Sequence, residues 1–89
     1  MNMSENEWRT RVIALIAEIR EMDATIVRGD SRLREDLGMD SLNSLELLSG
    51  LGEQFKLDLP IEDALALVTV DDACGFVMSA WRAQHGAAA

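Results

Sequence analysis

The chain has 89 residues and one cysteine, and its 16 acidic residues outnumber its 8 basic ones, which gives a formal net charge of −8. This length suits one small domain, residues 1–89, with a small hydrophobic core. The single cysteine excludes an internal disulfide, and the acidic surface disfavours nucleic acids and anionic membranes while favouring basic protein partners. No apolar run could span a membrane and no basic-then-apolar leader opens the chain, so the sequence predicts a cytoplasmic protein.

The first predicted helix begins at a capping box, the S-x-x-E pattern of Ser4 and Glu7. Apolar residues then recur at steps of three and four, which is the period of one helix face. They are Trp8, Val12, Leu15, Ile16, Ile19 and Met22. We expect this helix to fade near Asp23.

An irregular segment, residues 24–39, follows the first helix. It is long for a loop in a small domain, and loops of this length are often functional. Four apolar residues are expected to pin it to the core: Ile26, Val27, Leu33 and Leu37.

The second predicted helix begins at Asp40, a candidate N-cap, and runs to about Lys56. Gly50 and Gly52 lie inside it and indicate either close packing or a weakened final turn. Leu47 falls off the predicted apolar stripe and is expected to be exposed. The stripe itself is Leu42, Leu45, Leu48, either Leu51 or Gly52, and Phe55.

Pro60 ends this segment, and residues 61–67 favour a short third helix. Thr69 is a candidate cap for a last helix, with Asp71 and Asp72 in its first turn. The predicted architecture is therefore an all-α four-helix bundle with a long first loop and a short third helix. Its core is expected at about residues 5–82, with a flexible tail at 83–89. The last helix is predicted to face inward with Val70, Ala73, Cys74, Val77 and Trp81.

Ser41 is the one residue whose surroundings raise a chemical question, because it stands between an acid and a leucine where a helix begins. As a nucleophile it would need a base, and the sole histidine, His85, lies in the predicted tail. One cysteine and one distant histidine cannot supply a zinc site, and no metal site is predicted. The chain thus lacks recognisable catalytic residues of its own, and position alone favours Ser41 as ordinary first-turn filler.

The stretch "LREDLGMDSL", followed by "LELLSGLGEQF" and "LPIEDALALVTVDDACGFV", closely resembles the acyl carrier protein family, from about Trp8 to Trp81. The specific part is D-L-G-x-D-S-L in a chain of this length and helix order. The resemblance implies a non-catalytic four-helix bundle that carries acyl groups as thioesters on a 4′-phosphopantetheine arm. A separate phosphopantetheinyl transferase would move that arm from coenzyme A onto Ser41.

The resemblance also implies that the second helix meets basic patches on acyl-loading, condensing and modifying enzymes. The residues that match this partner-binding role are Asp40, Leu42, Glu46 and Glu53. Asn43 and Gly52 are neutral where acids are common in the family, which favours a specialised polyketide, nonribosomal-peptide or related fatty-acyl pathway. A peptidyl or aminoacyl carrier, and a carrier-like interaction module without a prosthetic group, remain as alternatives. A monomer is expected, either free-standing or a domain excised from a larger synthase.

Overall fold

The computed structural model describes residues 4–86, which form four α-helices. The helices are α1 (Glu5–Arg20), α2 (Ser41–Phe55), α3 (Ile61–Leu65) and α4 (Val70–His85), with a 3₁₀ turn at Ala24–Ile26. The predicted all-α bundle with a long first loop and a short third helix is confirmed. Among the helices of residues 4–86, none combines the length and apolar character needed to cross a bilayer.

The first helix follows its local signals closely. Ser4 Oγ accepts a hydrogen bond from the Glu7 N–H at 3.2 Å, and Glu7 Oε1 accepts one from the Ser4 N–H at 2.9 Å. Trp8, Val12 and Ile16 are buried on the predicted face. The helix ends at Arg20, slightly before the predicted limit, because Glu21 adopts a left-handed conformation with φ 53°.

The long loop is pinned to the bundle, as predicted for three of its four apolar residues. Val27, Leu33 and Leu37 are buried, whereas Ile26 is 60% exposed, so that part of the prediction is wrong. Ile26 lies in the 3₁₀ turn, and only the next residue, Val27, turns inward. The loop is also held by backbone hydrogen bonds to the segment before α4.

These backbone bonds join two parts of the chain that are distant in sequence. The Leu33 N–H donates to the Val68 carbonyl at 2.8 Å, and the Val70 N–H donates to the Ser31 carbonyl at 3.0 Å. Arg32 and Thr69 form an isolated antiparallel bridge between them. Residues 67–70, "LVTV", are rich in β-branched side chains, which favour extended structure. This run thus orders the loop without forming a strand within the described part of the chain.

The buried face of α2 differs from the predicted stripe. Leu47, expected to be exposed, is buried together with Leu51 and Phe55, whereas Leu42 is 65% exposed and Leu45 is also exposed. Successive helix residues are rotated by about 100°, so Leu42 lies about 180° from Leu51, on the opposite side of the helix. The predicted residues do recur at helical intervals, but the stripe that they form winds around the helix. Its first members, Leu42 and Leu45, therefore lie outside the core.

Both glycines of α2 lie at close contacts. A Cβ at Gly50 would lie 2.7 Å from Leu15 Cδ2 of α1, and a Cβ at Gly52 would lie 2.9 Å from the Leu57 carbonyl oxygen. Real Cβ atoms do not approach their neighbours this closely. The structure therefore supports the close-packing interpretation of these two residues.

The last helix is longer than predicted, and the expected start of the tail at residue 83 is wrong. Gln84 and His85 lie within α4 and contact the α2–α3 loop. The Gln84 amide exchanges two hydrogen bonds with the Asp58 backbone, at 2.8 and 2.7 Å, and His85 Nε2 lies 2.9 Å from the Lys56 carbonyl oxygen. The remainder of the predicted tail, residues 87–89, lies outside the described residues.

The start of α4 agrees with its sequence signals. Thr69 and Asp72 form a capping box, and the four predicted inward residues after it are buried: Val70, Ala73, Cys74 and Val77. Trp81 is partly buried, with its ring centroid 5.7 Å from that of Trp8. Burial raises the pKa of the Cys74 thiol to about 11, which fits a core residue rather than a reactive thiol.

Candidate functional site

The N-terminus of α2 is closed by a capping box that Asp40, the residue before Ser41, forms with Asn43. Asp40 Oδ1 accepts a hydrogen bond from the Asn43 N–H at 2.8 Å, and Asn43 Oδ1 accepts one from the Asp40 N–H at 3.2 Å. Asp40 is therefore the N-cap and Ser41 is the first residue of the helix. The capping explains why the helix begins here, and it leaves Ser41 free for another role.

Three features define the path of the segment before the cap: a backbone conformation, a hydrogen bond and a buried side chain. Gly38 has φ +69°, a conformation that residues with a Cβ rarely adopt. Arg20 reaches from the end of α1 and donates from Nε to the Leu37 carbonyl at 2.9 Å. Met39, just before the cap, is 2% exposed. The chain therefore arrives at α2 along a fixed path, while Ser41 itself is exposed.

The described residues give Ser41 no partner for catalysis. His85 contacts Lys56 at the far end of α2, and a residue rise of 1.5 Å places Lys56 about 22 Å along the helix from Ser41. The Asp40 carboxylate is already engaged by Asn43. Within residues 4–86, no cluster of three potential metal ligands is found. The geometry presents the Ser41 hydroxyl without activating it.

The predicted partner-binding residues of α2 lie together on the side opposite its buried face. Taking about 100° per residue, Leu42, Glu46 and Glu53 lie within about 40° of one another around the helix. All three are exposed, as is Asp40 at the helix start. Asn43 Nδ2 donates to Glu46 Oε1 at 3.3 Å. This hydrogen bond connects a residue of the capping box to an acid of the outer face.

A cleft of about 210 Å³ opens beside the start of α2, between the long loop and the α3–α4 connection. Leu33 and Met39 supply buried parts of its wall, and the half-exposed Leu65 and Val68 also line it. The cleft is formed by segments that meet only in the fold, so the sequence alone does not predict it. The β-prone run containing Val68 was the one available signal.

Comparisons with known proteins agree on the class of protein. Residues 10–77 match the family model described as "Phosphopantetheine attachment site". An acyl carrier protein of Prochlorococcus marinus (strain MIT 9515) is 36% identical over 75 residues, covering 84% of this chain and 94% of the relative. An acyl carrier protein of Campylobacter jejuni subsp. doylei is 38% identical over 66 residues, covering 74% of this chain and 86% of the relative.

A solved structure gives the same result at the level of the fold. The apo doublet acyl carrier protein from prodigiosin biosynthesis, determined in solution, has a TM-score of 0.71 and 26% identity. The match covers 83% of this chain, and this chain spans 36% of the length of that doublet.

The matched residues, the identity to the relatives and the fold together define a phosphopantetheine-bearing carrier rather than a catalyst. The chain belongs to the acyl carrier protein family, whose members carry acyl groups on a covalently attached 4′-phosphopantetheine.

Proposed function

We propose that Ser41 Oγ is the attachment point of 4′-phosphopantetheine and that a phosphopantetheinyl transferase places it there from coenzyme A. The observation that supports this most directly is the position of Ser41. It is exposed at the first residue of α2, immediately after a D-L-G-x-D segment in which Leu37 and Met39 are buried. Among residues 4–86 no base lies beside Ser41, which suits a hydroxyl that another enzyme activates.

The residues around Ser41 fit a phosphodiester. The first N–H groups of a helix lack intrahelical partners, and the positive end of the helix dipole favours an anion there. Asp40 satisfies the N–H of Asn43, which leaves the N–H groups of Ser41 and Leu42 available to phosphate oxygens. No acidic residue stands in the first turn of α2, and the carboxylate of the N-cap, Asp40, accepts from the Asn43 N–H. The attached thiol would hold the acyl group, and tethering would raise its effective concentration at each partner enzyme.

The test is modification in vitro followed by intact-mass measurement. Purified protein is incubated with coenzyme A and a broad-specificity phosphopantetheinyl transferase, and one phosphopantetheinyl group should be added. Ser41→Ala should abolish the addition, whereas Ser49→Ala, at another exposed serine of α2, should leave it intact. Addition to Ser41→Ala, or none to the wild type, would refute the assignment.

We infer further that the outer face of α2 docks partner enzymes through Leu42, Glu46 and Glu53. The face is exposed and combines an apolar side chain with two acids, which suits a basic surface with an apolar depression. Glu46→Lys should slow acyl transfer with a cognate partner. Glu18→Lys makes the same charge change at an exposed position of α1 and should have a smaller effect. Equal effects from the two variants would place docking on another face.

We propose a specialised acyl pathway as the setting, of polyketide, nonribosomal-peptide or related fatty-acyl type. Two observations support it. Asn43, in the first turn of α2, is neutral, and the structural neighbour described above belongs to prodigiosin biosynthesis. Intact-mass analysis of the protein isolated from its source, with cargo attached, tests this directly. An aminoacyl or peptidyl cargo would instead support the second candidate, a peptidyl carrier. Full cellular function of Ser41→Ala would indicate an interaction module that needs no prosthetic group.

A further inference from the structure

The cleft beside Ser41 carries a basic side chain that the carrier function does not yet explain. Arg34 lines the cleft, together with Glu35 and the apolar residues described above. Within residues 4–86, no ion pair involves Arg34. Arg34 is the one basic side chain among the residues that line the cleft.

The nearby acids are already engaged by another arginine. Arg32 lies 3.3 Å from the Glu35 carboxylate and 3.3 Å from the Asp36 carboxylate. The Arg32 N–H also donates to Asp36 Oδ2 at 2.7 Å, and the hydrogen bonds from Arg32 lower the pKa of the Asp36 carboxyl. Glu35, the acid that lines the cleft, is thus paired with Arg32. The four charged residues of this segment sum to zero, and Arg34 is the one among them without an ion-pair partner.

The cleft is also close to the attachment point. Ser44 lines it, and it follows Ser41 by three residues. Helix geometry places the two residues about 4.5 Å apart along the axis and about 60° apart around it. Met39, which precedes the cap of α2, lines the cleft from the other side. A flexible group attached to Ser41 therefore has the mouth of the cleft within its reach.

We infer that Arg34 binds an anionic oxygen group presented in this cleft, either the phosphodiester of the arm or a carboxylate on the acyl cargo. This inference rests on the proposed attachment at Ser41. A guanidinium group offers a planar pair of donors that fits phosphate and carboxylate oxygens, and it stays charged at any working pH. Arg34 is exposed where it lines the cleft, so its guanidinium is accessible to a group carried on Ser41.

The matched variants are Arg34→Gln and Arg28→Gln. Arg28 belongs to the same loop and loses the same charge when changed, but it is paired with Asp30 at 3.4 Å and does not line the cleft. Each variant and the wild type are prepared in four forms: apo, holo with a free thiol, butyryl-loaded and succinyl-loaded. The butyryl and succinyl groups have the same four-carbon backbone and differ by a terminal carboxylate.

Two NMR signals distinguish the sources of the anion. If the phosphodiester is bound, the Arg34 Nε–Hε resonance shifts from apo to holo protein, and the ³¹P resonance of the holo protein shifts in Arg34→Gln but not in Arg28→Gln. If the cargo carboxylate is bound, Arg34 Nε–Hε shifts on succinyl loading but not on butyryl loading. A further readout is the difference in melting temperature between the succinyl and butyryl forms, which Arg34→Gln should abolish and Arg28→Gln should preserve.

The result that overturns the inference is an Arg34 Nε–Hε resonance that is the same in all four forms, with Arg34→Gln indistinguishable from Arg28→Gln. Intact mass is measured before each spectrum, so that loading is verified independently. A wild-type chain that takes up no phosphopantetheine refutes the proposed function and this inference with it. A loaded chain in which Arg34 senses neither group refutes this inference alone.

Discussion

Substitutions at Asp40 can distinguish two roles of its side chain, the capping of α2 and the negative charge that it places beside Ser41. Its carboxylate accepts the Asn43 N–H at 2.8 Å and thereby closes the first turn of the helix. Asp40→Ala removes this acceptor, and loss of an N-cap costs about 1 kcal/mol. For a domain of this size, 1 kcal/mol lowers the melting temperature by roughly 4–8 °C. Asp40→Asn keeps an acceptor of similar capping strength and removes the charge.

The two variants should therefore differ in thermal unfolding, followed by circular dichroism. Asp40→Ala should melt several degrees below the wild type, and Asp40→Asn should retain most of the stability. The rate of phosphopantetheine transfer is then measured at a temperature where all three proteins are folded. If the carboxylate also contacts the transferase, both variants should be slowed, although only one is destabilised.

Two outcomes would refute this reasoning. Asp40→Ala that melts with the wild type would show that the capping hydrogen bond does not stabilise α2. Asp40→Asn that loses as much stability as Asp40→Ala would show that the charge, and not the hydrogen bond, stabilises the first turn. Unchanged transfer rates in both folded variants would remove Asp40 from the partner-binding set and leave it as a cap alone.

Three further predictions concern the core and the ends of the helices. Gly75→Ala should raise the free energy of unfolding by about 0.5–1 kcal/mol, because a Cβ there meets nothing within 4 Å. Gly52→Ala should lower the free energy of unfolding, because its Cβ would lie 2.9 Å from the Leu57 carbonyl oxygen. Denaturant titration of the two variants checks both expectations. The buried Cys74 thiol, with its pKa raised to about 11, should resist iodoacetamide at pH 8. The folded apo protein should thus gain no alkyl group and the holo protein one, on the arm. The pKa of Asp72 is lowered by two backbone N–H groups at the start of α4. The stabilisation that the ionised Asp72 carboxylate provides is present at pH values above its ordinary pKa of 3.8 and is lost as the pH falls through the lowered pKa. The gap in melting temperature between the wild type and Asp72→Asn should therefore close under acid; a gap that stays constant with pH would contradict this.

Features encoded within a few neighbouring residues were predicted well from the sequence. The predicted capping box at Ser4 and the predicted cap at Thr69 place the starts of α1 and α4 correctly. Both depend on hydrogen bonds between residues three apart, so they need no knowledge of the rest of the fold. The D-L-G-x-D-S-L segment is local in the same sense. It places Asp40 at the cap and Ser41 at the first residue of α2.

Features that depend on packing between distant segments were predicted poorly. A leucine-rich helix offers more than one helical stripe, and only contacts with α1 and the other helices decide that Leu47 faces inward rather than Leu42. The extension of α4 through Gln84 depends on the Asp58 backbone, which is 26 residues away. The cleft with Arg34 in its wall exists because Leu33 and Val68 are joined by a backbone hydrogen bond.

The structure separates the two neutral residues of α2 that stand where acids are common in carrier proteins. Gly52 has a packing reason, because any side chain there would meet the Leu57 carbonyl oxygen. Its neutrality therefore carries little information about partners. Asn43 has no such constraint: its carbonyl oxygen completes the capping box and its amide N–H₂ group donates to Glu46. A carboxylate at this position could accept from the Asp40 N–H but could not donate to Glu46. The feature that distinguishes the proposed docking face of α2 is therefore one amide, which connects the capped start of α2 to Glu46, the acid proposed to meet partner enzymes.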